Sequence, residues 1–148
     1  MVLLLFVGCR PTDKVQRVTY PFSCLVSITQ ESIIIEGELT AGLPGCYTIQ
    51  MTKPNYFAGM TLLFKGGQSK VKWNDWLAEQ EVGLPCASVF TKLTSVLDDL
   101  ARSEKPSRLT KTTAVYDLKG HTVVCDRTSG RPIQIQLQDG TQIHLTYT

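Results

Sequence analysis

The chain has 148 residues, 43% of them hydrophobic and 19% charged, with a formal net charge of +2. That composition suits one folded domain, or two very small ones packed together, and excludes a disordered chain. The slight positive balance, without a dense basic stripe, sets nucleic acid aside as a partner. The longest apolar run, Val2 to Val7, is far too short to span a membrane.

Val2 to Val7 reads as a buried first strand, ended by Gly8 and Pro11. The overlapping Leu5-Phe-Val-Gly-Cys9 has the outline of a bacterial lipoprotein cleavage box. It lacks the basic leader and the longer apolar run of a signal peptide. The strand is therefore the expectation and a lipid anchor at Cys9 the alternative. Val18 to Ser27 reads as extended, with Phe22, Cys24, Val26 and Ile28 sharing a face. Ser32 to Leu39 is a β-branched strand in which Gly37 marks a bulge.

Ala41 to Gly45 reads as a loop by composition. Cys46 to Thr52 resumes as a strand, with Tyr47, Ile49 and Met51 on one side. After a turn at Lys53-Pro-Asn55, Met60 to Phe64 forms another strand. Gly66-Gly67 turns it toward Val71 and Trp73. The first half is thus a meander of five or six antiparallel strands. Asn74 to Gln80 reads as a short helix with Asn74 as its cap.

From Ser88, the apolar residues Val89, Phe90, Leu93, Val96, Leu97 and Leu100 recur at helical spacing and need a sheet to pack against. Lys92, Thr94, Asp98 and Asp99 should face water. Pro106 ends this helix, and Ser103 to Thr112 reads as a basic linker. Thr113 to Leu118 reads as a short strand. An apolar run from Thr122 to Cys125 and a polar turn, Asp126 to Gly130, follow. Two period-two strands then carry Ile133, Ile135 and Leu137, and Ile143, Leu145 and Tyr147. They meet at Asp139-Gly140, a strong hairpin signal because Gly takes positive φ without a clash. The expected class is α+β: antiparallel β-meanders with one long amphipathic helix packed on the sheet.

The five cysteines form no Cys-x-x-Cys pair, which predicts neither a zinc site nor a disulfide framework and points to buried, reduced thiols. His121 and His144 are the only histidines, and no nucleophile motif accompanies them. The expectation is a module without catalysis, metal or cofactor.

The C-terminal order of apolar strand, Cys125-Asp126, small turn, alternating strand, Asp139-Gly-Thr141 and apolar strand resembles the first three strands of a polo box, a polo-box-like fold. The divergent or cryptic boxes of the centriole-duplication kinase and of kinetochore proteins are the nearer likeness. The layout then reads as one polo-box-like module over residues 1–148. Divided, it becomes a first box with its helix over 1–102 and the start of a second over 103–148.

What the resemblance implies is a protein–protein interaction module at a centriole, centrosome or kinetochore, within a longer kinase-containing protein. Gly140 and Gln142 stand where phosphate-reading boxes carry charge, so partner binding should not depend on phosphate. The expected partner surface comprises Lys70, Lys72, Lys105, Arg108, Lys111, Gln142 and His144, suited to an acidic scaffold peptide. Exposed strand edges would allow a homodimer. Membrane is not an expected partner. A second likeness is to the head domain shared by DNA-end-joining scaffolds and the centriolar cartwheel protein. The third alternative is the bacterial lipoprotein.

Overall fold

The computed structural model describes residues 15–73, 83–84 and 88–148. The expected strand over Val2–Val7, the box ending at Cys9 and the short helix over Asn74–Gln80 lie outside them.

Five strands come first: β1 (Phe22–Gln30), β2 (Ile33–Leu43), β3 (Cys46–Lys53), β4 (Met60–Lys65) and β5 (Gln68–Trp73). The helix α1 (Val89–Arg102) follows. Five more strands follow among the described residues: β6 (Arg108–Leu109), β7 (Thr113–Leu118), β8 (His121–Asp126), β9 (Pro132–Gln136) and β10 (Gln142–Thr146). All ten lie in one antiparallel sheet, in the order β5-β4-β3-β2-β1-β10-β9-β8-β7-β6. Two five-stranded meanders are thus joined where β1 meets β10, with Val26 opposite Leu145 and Ile28 opposite Ile143.

Alternation decides which side of the sheet is covered, because successive strand residues point to opposite faces. Phe22, Cys24, Val26 and Ile28 on β1 are buried, as are Tyr47, Ile49 and Met51 on β3 and Ile143 and Leu145 on β10. The apolar stripe of α1, Leu93, Val96, Leu97 and Leu100, is buried in the same cluster. Ser88 starts the helix, its hydroxyl accepting the Thr91 amide at 3.2 Å, which satisfies one donor of the first turn.

The expected α+β class is what the chain adopts, and four local expectations change. The loop over Ala41–Gly45 shrinks, because β2 runs on to Leu43 through a register shift between Ala41 and Leu43. The linker over Ser103–Thr112 contributes the edge strand β6, paired to Val115 and Ala114. Thr94 is buried rather than wet. Asp98 is tied to the sheet, as described below. The bulge at Gly37 is present, between Glu36 and Gly37. It needs glycine: a Cβ there would stand 2.8 Å from the Gln50 carbonyl oxygen.

Strands on both sides of α1 belong to one sheet, and β10, read from sequence as part of an incomplete second unit, sits at its centre. The C-terminal meander is half of this fold.

Candidate functional site

A groove of about 730 Å³ lies over β2–β5. Thr40, Thr48, Leu63 and Lys70 line it as one cross-strand row, each opposite the next. This row alternates with Ala41, Tyr47 and Phe64, which are buried. Since Tyr47 bonds to α1, the Thr40 row faces away from the helix. Cys46 and Lys65, opposite each other, extend the groove toward the β4–β5 turn. Leu43, opposite Cys46 in the ladder, is 64% exposed. The groove therefore offers an apolar floor of Leu63, Cys46 and threonine methyls, flanked by two lysines.

The other face is closed by α1, which is pinned to three turns. Asp98 Oδ1 accepts the Gly45 amide at 2.7 Å and the Tyr47 hydroxyl at 2.6 Å. Burial and the bond to Asp98 hold the Tyr47 phenol far above its ordinary pKa, so it stays a donor. Lys92 pairs with Asp139 at 2.7 Å. Asp99 accepts from Arg102 at 2.7 Å and from Lys119 at 3.0 Å. Burial alone would raise the Asp99 pKa, but these two cations bring it below the usual carboxylate value.

Asp139 has structural partners too: the Thr141 amide donates to its Oδ1 at 3.0 Å. The Asp-Gly-Thr run that resembled a polo-box hairpin is a turn with a helix contact. Two thiols, Cys24 and Cys125, are buried in the core. Burial pushes both Cys24 and Cys125 up to about 12.

The residues proposed from sequence occupy three separate places in the strand order. Lys70 and Lys72 are exposed on the edge strand β5. Arg108 is on the opposite edge strand, β6, with exposed Lys105 and Lys111 before and after it. Gln142 and His144 are central, on β10, where Gln142 accepts from the Gln134 side chain at 3.2 Å. Only Lys70 of the seven lines the groove. Leu63 and Thr48 were legible merely as strand residues, since nothing local marks an outward Leu as part of a groove. Among the described residues, no cluster of His, Cys, Asp or Glu could hold a metal. No helix there is long and apolar enough to cross a membrane.

No family model matches the chain, and no curated protein matches it. Solved structures do. An uncharacterized conserved protein from Thermus thermophilus shares 14% identity over 86% of this chain and 76% of its own, with a TM-score of 0.51. A LolA superfamily protein from Nitrosomonas europaea shares 14% identity over 92% of this chain and 87% of its own, with a TM-score of 0.49. At 14% identity, the likeness to the Thermus thermophilus protein is one of fold alone. With the single continuous sheet, that fold corrects the polo-box assignment. The expected roles at a centriole, centrosome or kinetochore, which rested on that assignment, fall with it.

Proposed function

We propose that this chain is a non-catalytic binding protein of the bacterial envelope that holds a long acyl chain in the groove over β2–β5. The observation that carries this is the groove itself. Its volume of about 730 Å³ falls within the range of roughly 300–1,000 Å³ usual for small-molecule sites. Leu63 supplies its floor, and the exposed Leu43 adjoins it, so an alkyl chain would remove apolar surface from water at both. No histidine or carboxylate is among the described residues that line it to serve as a base. On this reading the box ending at Cys9 provides a lipid anchor.

The test is a titration of the purified protein with a fluorescent fatty-acid probe whose emission rises in apolar surroundings. Wild type should give saturable binding. Leu63→Asp, which places a charge on the groove floor, should lose it, while Ile34→Asp at the β1–β2 turn should bind normally. Equal binding by wild type and Leu63→Asp would refute the groove as the site. Separately, Cys9→Ala should abolish incorporation of labelled palmitate in a bacterial host.

A further inference from the structure

We infer that the end of the sheet carrying the β6–β7 and β8–β9 turns docks onto an anionic phospholipid surface, with Arg17, Lys111 and Arg131 meeting the headgroups. This rests on the lipid anchor at Cys9 proposed above and goes beyond it by assigning the face turned to the membrane. Arg17, Lys111 and Arg131 are exposed, as are Lys105 and Arg108 along the adjoining edge. Among the described residues, no ion pair engages any of these five.

Three segments distant in the chain are brought together there. Asp126 Oδ1 accepts the Ser129 amide and the Ser129 hydroxyl, each at 2.7 Å, which closes the β8–β9 turn. Val15, Val18 and Tyr20 pack the segment before β1 against the core. That segment passes so close to the turn that a Cβ on Gly130 would stand 2.5 Å from the carbonyl oxygens of Gln16 and Arg17. Arg17 is thereby held beside the turn that leads to Arg131. The β6–β7 turn joins from the other side. Arg127 donates its amide to the Thr112 carbonyl at 2.9 Å and its guanidinium to the Thr110 carbonyl at 2.8 Å, and Lys111 stands between the two. The Arg131 guanidinium lies 5.0 Å from the centre of the Tyr147 ring, a contact that orders the side chain and leaves its charge in place.

Charge and position select the occupant. With Arg127 included, the region carries six cations against two side-chain carboxylates, Glu104 and Asp126. The cations come from two turns, an edge strand and the segment before β1, so they spread over a surface that suits a flat array of phosphates. The same surface borders the start of the described chain. The six steps from Cys9 to Val15 span at most about 22 Å, so a lipid at Cys9 confines this end of the sheet to the neighbourhood of the membrane. A polybasic surface adds to such an anchor, because each Lys or Arg near an anionic leaflet is drawn to it over roughly a Debye length. The contact is peripheral and needs no spanning helix.

The experiment is co-sedimentation of the full chain carrying Cys9→Ala, which bears no lipid there, with vesicles of phosphatidylcholine alone or mixed with phosphatidylglycerol. At low salt the chain should bind the anionic vesicles about tenfold more tightly than the neutral ones, and the preference should shrink as salt is raised. R17Q/K111Q should lower affinity for the anionic vesicles about tenfold, the scale of two partly screened contacts with a charged leaflet, with the circular dichroism spectrum unchanged. R17K/K111R keeps both charges and should bind as its parent does. K53Q/K119Q removes as much charge from the opposite end of the strands and should stay within about twofold of the parent. Equal binding to neutral and anionic vesicles would overturn the headgroup contact. A loss in K53Q/K119Q as large as in R17Q/K111Q would show that net charge acts, and would overturn this surface. No binding to either vesicle would overturn it whatever Cys9 carries. Tighter binding to duplex DNA than to anionic vesicles would reassign the surface to nucleic acid. Vesicle binding by this pattern without palmitate labelling at Cys9 would sink the anchor instead and leave the surface standing.

Discussion

The Tyr47 hydroxyl donates to Asp98 Oδ1 at 2.6 Å, joining the inner face of β3 to the C-terminal half of α1. Because Asp98 also accepts the Gly45 amide at 2.7 Å, one carboxylate holds both the strand and the turn before it. Hydrogen bonds to a charged group contribute about 1.5–3 kcal/mol, and leaving buried donors unpaired costs more than losing the bond. Asp98→Ala should therefore destabilise by about 2–3 kcal/mol in urea unfolding, and Tyr47→Phe by about 1–2 kcal/mol. The double variant should cost less than the sum, since both changes remove the same bond. Strict additivity would show that the two residues are not coupled.

The Lys92–Asp139 pair gives stability a defined acid dependence. The bond from Lys92, followed by those from Thr141, lowers the Asp139 pKa well below its ordinary 3.8. A carboxyl whose folded pKa is depressed contributes stability above its unfolded pKa and loses it as pH falls toward the folded one. Both partners are partly exposed, 35% and 40% at the side chains, so the pair is worth at most about 1 kcal/mol. Lys92→Gln should then be less stable than wild type by under about 1 kcal/mol at pH 7. That difference should vanish well below pH 3.8. A difference that persists unchanged in acid would mean Lys92 acts through packing.

Cys24 and Cys125 should resist alkylation in the native protein. With thiol pKa values near 12, roughly one group in ten thousand is thiolate at pH 8, and the thiolate is the reactive form. Peptide mapping after brief iodoacetamide treatment should find both unmodified, and both labelled once the protein is unfolded. Rapid native labelling of Cys125 would show that the inner face of β8 opens readily.

Much of the fold was legible residue by residue. The alternation in Phe22-Ser-Cys-Leu-Val-Ser-Ile28 located the buried face of β1, and the Leu93–Leu100 stripe located the covered face of α1. The bulge at Gly37 and the turns at Gly66-Gly67 and Asp139-Gly140 were equally local. Asp98 was misread for a physical reason. Adjacent helix residues diverge, so Asp98 and Asp99 seemed to share only solvent. Their partners, at Gly45 and Lys119, come from turns that the chain pattern cannot place.

The resemblance failed at the same point. A strand-turn-strand pattern ending in Asp-Gly-Thr states how three strands meander, not which strand lies beside them. By itself the sequence determined strand faces, helix face and turns, because these depend on side-chain periodicity and backbone sterics over a few residues. Only the tertiary structure decided that β10 pairs with β1, that two meanders make one sheet, and that Leu63 and Lys70 border one groove. Strand neighbours are chosen by packing between residues distant in the chain, and an alternating apolar pattern suits many of them equally well.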